Sequence, residues 1–69
     1  MNINEKVGEK IRKIRESQGF TQSDFATECN LSRAYYGRIE RGEHSITIET
    51  CEKISKTLGV KISSLFYDI

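Results

Sequence analysis

Apolar residues recur along this chain at helical rather than strand spacing. Val7, Ile11 and Ile14 stand at i, i+4 and i+7 within Asn4 to Gln18, and the charged Glu5, Lys6, Glu9, Lys10, Arg12 and Lys13 fill the positions between them. This pattern predicts an amphipathic helix with one face turned to a core, stopped at Gly19. A short unit then occurs three times: an apolar residue, a hydroxyl residue, three further residues, and a second apolar residue. Phe20-Thr21 leads to Phe25, Leu31-Ser32 to Tyr36, and Ile46-Thr47 to Cys51. Each unit matches an N-cap hydroxyl with a hydrophobic staple across the first helical turn, so three helix starts are expected at Thr21, Ser32 and Thr47. Asp24, three residues after Thr21, resembles the acidic half of a capping box.

The expected stops match the starts. Gly42 follows the helix begun at Ser32, Gly59 follows the one begun at Thr47, and Asn30 ends the one begun at Thr21. Asn tolerates the left-handed backbone conformation better than most residues, so Asn30 can close one helix and let Ser32 open the next almost at once. Helix, tight turn, helix is the layout of a DNA-binding helix-turn-helix. Beyond Gly59, the spacing of Val60, Ile62, Leu65 and Phe66 fits a short last helix, although Lys61 stands where a capping hydroxyl is usual. The only alternating stretch, Ser45 to Ile48, is explained by the third staple. The expected fold is all-α, a compact five-helix bundle occupying residues 1–69 as one domain.

The helix begun at Ser32 carries the chemistry. At about 100° per residue, Arg33, Ala34, Gly37, Arg38 and Arg41 share one arc of roughly 140°, with Tyr36 and Ile39 centred on the opposite, inward arc. The outward arc holds three cations and no bulky apolar group. Arginine pairs bidentately with guanine O6 and N7, each good pair contributing about 1–3 kcal/mol of discrimination. Gly37 costs roughly 1 kcal/mol against Ala inside a helix, so it calls for a packing or close-approach reason. Glu40 is anomalous, because an acid near a helix C-terminus opposes the dipole and one on the inward arc needs a cation. Arg15, at the end of the first helix, is the expected partner.

Composition narrows the classes. A chain of 69 residues buries only about 60% of the surface its unfolded form exposes, leaving no room for a deep catalytic cleft. Eleven basic against ten acidic side chains give a net charge of +1, which neither requires nor forbids nucleic acid, since what counts is where the cations sit. No apolar run approaches a membrane span, and Met1 to Gly19 is too polar for a signal peptide, so a cytoplasmic location is expected. Cys29, Cys51 and His44 are the only soft ligands and lack the spacing of a zinc site; the cysteines read as small core hydrophobes, and no metal or cofactor is expected. One His, no nucleophile–base spacing and no phosphate-cradling glycine loop argue against an enzyme.

The run Gly19-Phe-Thr-Gln-Ser-Asp-Phe-Ala26, then Asn30-Leu-Ser-Arg-Ala-Tyr-Tyr-Gly-Arg-Ile-Glu-Arg-Gly42, then Ile46-Thr-Ile-Glu-Thr-Cys-Glu-Lys-Ile54 and Leu58-Gly-Val60 resembles the phage-repressor and Cro type of helix-turn-helix transcriptional regulator. The likeness extends from Val7 to Phe66 and implies a lambda-repressor-like DNA-binding fold. A stand-alone chain with Arg-Ala-Tyr-Tyr opening its recognition helix is further similar to the controller proteins of restriction-modification systems. The resemblance implies that Arg33, Ala34 and Arg38 face bases. It implies that Gln22, Ser32, Tyr35, Arg41, His44, Ser45 and Thr50 meet the DNA backbone, and that Arg15 and Glu40 form a structural ion pair. Tyr35 can equally be a boundary residue packed over the preceding helix, and His44 a solvent-exposed loop residue. Ala34 and Gly37 lack side chains that hydrogen-bond bases in relatives, which concentrates specificity on Arg33 and Arg38.

A single recognition helix spans too few base pairs to find a site in a genome. A homodimer is therefore expected on double-stranded DNA, with half-sites about 34 Å apart. Ile62, Leu65, Tyr67 and Ile69, with Phe66, offer an apolar C-terminal surface for it, unless Leu65 and Phe66 close the domain's own core. No small-molecule ligand is expected. The rival reading keeps the fold but makes the main partner a protein, as in antitoxin-type regulators.

Overall fold

The computed structural model describes all 69 residues as four α-helices and a closing 3-10 turn, without strands. Helix α1 spans Ile3–Ser17, α2 Gln22–Glu28, α3 Arg33–Glu40 and α4 Ile48–Leu58, followed by the turn Ile62–Leu65. The three hydroxyl caps all form: Thr21, Ser32 and Thr47 each accept a hydrogen bond from the backbone N–H three residues on. A fourth cap precedes the apolar pattern. Asn2 accepts from the Glu5 N–H while the Glu5 carboxylate accepts from the Asn2 N–H, a complete capping box that starts α1 at Ile3. At Thr21 only one arm of such a box is present, the Asp24 side chain being a methylene shorter than the Glu that closes the motif at Asn2.

The expected fifth helix is replaced by the four-residue 3-10 turn. Lys61 provides no side-chain cap, and Ser63 and Ser64 occupy the middle of the segment, so neither a nucleating bond nor a strong helix former is present where α-helical propagation would begin. Asn30 adopts φ 60°, which closes α2 and turns the chain into Leu31 and the Ser32 cap.

The core draws on every element: Val7 and Ile11 from α1, Phe25 and Ala26 from α2 with Cys29 at its end, Tyr36 and Ile39 from α3, Cys51, Ile54 and Leu58 from α4, and Leu65 from the turn. The Phe25 ring lies between Phe20 and Tyr36, at centroid separations of 5.3 and 5.2 Å. Fully burying a side chain of this size contributes about 1.5–3 kcal/mol, and the aromatic contacts tie the staple residue Phe20 and α3 to one ring. Leu65 is completely buried. Its assignment to a dimer surface is therefore corrected: its side chain is consumed by the chain's own core. Both cysteines are free and buried, and burial pushes their thiols up, as befits packing residues.

One glycine sets the distance between α1 and α3. A Cβ on Gly8 would lie 2.4 Å from the Ile39 carbonyl oxygen and 2.5 Å from that of Glu40. These are backbone atoms that cannot swing aside, so α1 can cross the C-terminal end of α3 this closely only without a side chain at that position.

Candidate nucleic-acid interface

The site is built outward from a buried carboxylate. Glu40, at the inward end of α3, has a side chain only 1% exposed, and that of Arg15 is 7% exposed. Arg15 Nε donates to Glu40 Oε2 at 2.6 Å and Nη2 to Oε1 at 3.2 Å, while Nη1 donates to the Phe20 carbonyl at 2.6 Å. Gln22 Nε2 donates to Glu40 Oε1 at 2.8 Å, and the Tyr36 hydroxyl donates to Oε2. Burial alone would push the Glu40 carboxyl up. The hydrogen bonds from Arg15, Tyr36 and Gln22 outweigh that and hold it below the ordinary carboxylate range. The same contact with Glu40 raises Arg15, against the opposing effect of burial, and burial with the Glu40 bond raises the Tyr36 phenol. One acid thus fastens α1, the loop after it and the first residue of α2 to the last turn of α3.

With its inner side fastened, α3 presents Arg33, Ala34 and Arg38 to solvent. The ion pairs of the chain are Arg12–Glu16, Lys13–Glu9, Arg15 with Glu16 and Glu40, and Arg41–Glu43, so Arg33 and Arg38 stand outside any ion pair. Ser32, at the start of the helix, accepts from the Tyr35 N–H at 3.1 Å and keeps its hydroxyl proton free to donate outward.

The flanks are more engaged than the arc. Tyr35 is half-buried; its ring meets His44 edge-on with centroids 5.6 Å apart, and its hydroxyl lies 3.4 Å from the Thr50 hydroxyl. Tyr35 is thus a boundary residue, but its ring and hydroxyl meet His44 and Thr50, which follow α3, rather than the preceding helix. His44 and Ser45 are exposed in the loop before α4. Thr50 is buried and its hydroxyl is shared with Thr47 at 3.0 Å and with Tyr35. This corrects its assignment as a backbone-contacting residue: Thr50 supports Tyr35 from below, and at 7% exposure it has little surface of its own to offer. Gln22 is half-buried with its amide nitrogen on Glu40, so it braces α3 directly.

Glu43 escaped the sequence reading. Arg41 Nε and Nη2 donate to its two carboxylate oxygens at 2.9 and 3.3 Å. Arg41 holds the Glu43 carboxyl below its usual range, and Glu43 raises the arginine in turn. Spacing i, i+2 is not a facing pair on a helix, and the contact becomes possible because the chain leaves α3 at Arg41 and turns at Gly42. Ile48 was also unremarked; it is 84% exposed at the first position of α4, beside the Thr47 cap.

At the far end of the molecule, Ile62, Phe66, Tyr67 and Ile69 are exposed. Lys10 of α1 stands 5.7 Å above the Tyr67 ring, and Ile69 borders a shallow hollow with Met1, Lys6, Lys10 and Lys13. The C-terminal residues therefore lie back against α1, on a side where Lys6, Lys10 and Lys13 stand together with Glu9.

A capped helix, a left-handed Asn corner and a second capped helix with a cationic outer arc define a helix-turn-helix protein. The chain belongs to the helix-turn-helix family, whose model matches residues 11–65. It is 39% identical over 69 residues to the control protein C.MunI of Mycoplasma sp, covering 99% of this chain and 93% of that protein. It is 43% identical over 65 residues to the control protein C.BamHI of Bacillus amyloliquefaciens, covering 93% and 80%. The crystal structure of the restriction-modification controller protein C.AhdI from Aeromonas hydrophila superimposes with a TM-score of 0.87 at 29% identity, over 90% of this chain and 94% of that one.

Proposed function

We propose that this chain is a sequence-specific DNA-binding transcriptional regulator that works as a cytoplasmic homodimer on a two-fold operator, with α3 in the major groove. The observation that carries the reading is the pair of exposed arginines outside any ion pair, Arg33 and Arg38, on a helix whose inner side is fixed by the Glu40 network. Bidentate guanidinium donors on a rigid element match guanine O6 and N7 edges, and Ala34 between them leaves space for a thymine methyl. Around this centre, Gln22, Ser32, Tyr35, Arg41, His44 and Ser45 are the groups assigned to the sugar-phosphate backbone, which position the helix without reading sequence. Arg41 exchanges Glu43 for a phosphate in doing so.

Two copies are joined through the exposed Ile62, Phe66, Tyr67 and Ile69, a surface apolar enough to prefer a partner to water. No helix is long and apolar enough to cross a membrane. The likeness to control proteins supports a role in setting the expression of a restriction-modification system.

The test is the salt dependence of binding to duplex DNA. A dimer making about six to ten phosphate contacts loses roughly a thousandfold or more in affinity between about 50 and 200 mM salt. An affinity indifferent to salt, or no binding to duplex, contradicts the proposal and returns the chain to the protein-interaction reading.

A further inference from the structure

Gly37 occupies the middle of α3 on the outward arc, where a residue with ordinary helix propensity would cost the fold less. Its backbone dihedrals give no reason for glycine, since it is absent from the positive-φ residues of the chain. It nonetheless counts among the buried residues of α3. What covers it is the pair of arginines one turn before and one turn after. A Cβ at this position would lie 2.8 Å from Arg33 Nη1 and 3.1 Å from Arg41 Nη1. The two guanidinium groups thus both lie over the bare backbone of Gly37.

The two arginines are held differently. Glu43 holds Arg41 by Nε and Nη2, which leaves Nη1 pointing back to Gly37. Arg33 has no acidic partner, so its position against the helix rests on the space that the missing side chain opens.

We propose that Gly37 is a positioning residue for DNA recognition: the absent side chain forms a seat that holds the Arg33 guanidinium low against α3, in a defined orientation, before DNA arrives. A side chain oriented in advance loses less rotamer freedom on binding and presents its two donors at one angle, which sharpens discrimination between bases. An alanine fills the seat and lifts Arg33 out of it. The clash is with the far end of a long side chain rather than with backbone, and alanine is the better helix former, so the fold is kept. The inference rests on the DNA-binding reading above and assigns to Gly37 a role exercised through Arg33.

The experiment is a double-mutant cycle in the full chain, using DNA chosen by the wild-type protein from a random pool and the same DNA changed at the base pair for which Arg33→Ala loses preference. Gly37→Ala is expected to melt at the wild-type temperature or above it and to lose about fivefold or more in discrimination at that base pair. In an Arg33→Ala background the same substitution is expected to change discrimination less than about twofold, the two residues acting as one unit. Discrimination unchanged by Gly37→Ala overturns the proposal. So does a loss that persists undiminished without Arg33, since Gly37 would then meet DNA on its own account. A folded wild-type protein that selects no site overturns the DNA-binding reading itself, and is told apart from those outcomes before any variant is made.

Discussion

The two sides of α3 are built on opposite rules within eight residues. On the inner side, Tyr36, Ile39 and Glu40 are sealed from water, and both Glu40 oxygens are occupied by Arg15, Gln22 and Tyr36. On the outer side, Arg33 and Arg38 are exposed and form no ion pair, although Arg38 stands close enough to Glu43 to help lower its carboxyl. A charge inside a small protein is tolerated only when it is paired and hydrogen-bonded, while an exposed guanidinium outside any ion pair has its donors open to a ligand. On the DNA-binding reading proposed above, the contrast divides fixing the helix and reading with it between its two faces. The inner side can be perturbed only at the expense of folding, and the outer side only at the expense of recognition.

The largest expected effect comes from breaking the inner side. Glu40→Ala leaves the Arg15 guanidinium buried without its partner, a situation that costs about 3–5 kcal/mol. For a domain of this size that approaches the whole stability, so urea unfolding should show a chain largely unfolded before denaturant is added. A shift of the midpoint no larger than that of an ordinary surface substitution would place the helix anchor elsewhere.

A milder break is made with acid. The Glu40 carboxyl is depressed in the folded chain, so between its folded and unfolded values the unfolded state binds more protons. The stabilisation is fully present above the ordinary carboxylate range and is lost as pH falls through the depressed folded value. Urea midpoints measured from about pH 7 down to about pH 3 should fall for the wild type, and its advantage over Glu40→Gln should shrink along the way. A constant gap between the two proteins across that range would remove Glu40 from the acid transition.

The smallest of the three effects sits at the junction of the two sides. Ser32→Ala removes the cap bond to the Tyr35 N–H and should lower stability by about 1 kcal/mol, read from chemical denaturation. The accompanying loss of DNA affinity should be the same for all sequences, because the cap sets where α3 begins and not which base it meets.

Features decided by neighbouring residues were legible in the chain itself. Thr21, Ser32 and Thr47 cap because a hydroxyl followed by a helical run has one obvious orphan N–H to meet, and Asn30 turns because few other residues accept its backbone angle. The partner of Glu40 was legible by elimination, since an acid on an inward arc demands a cation and Arg15 ends the neighbouring helix. Features decided by distant contacts were not. Gly8 is needed only because α1 crosses the α3 backbone, which no local pattern announces. The burial of Thr50 and the Arg41–Glu43 bond depend on how the loop between α3 and α4 folds back. The terminal segment was over-read as a helix, and Leu65 as an interface residue, because apolar spacing says that a side chain is buried and not by whom.

The most direct measurement is selection of bound sequences from random duplex DNA by the wild-type protein and by Arg33→Ala. The expected result is an enriched two-fold site with half-sites centred about 10 base pairs apart, and preference lost at one symmetric position in the variant, by roughly 1–3 kcal/mol, with the rest of the site retained. Enrichment of no sequence, or an identical preference in both proteins, would contradict it.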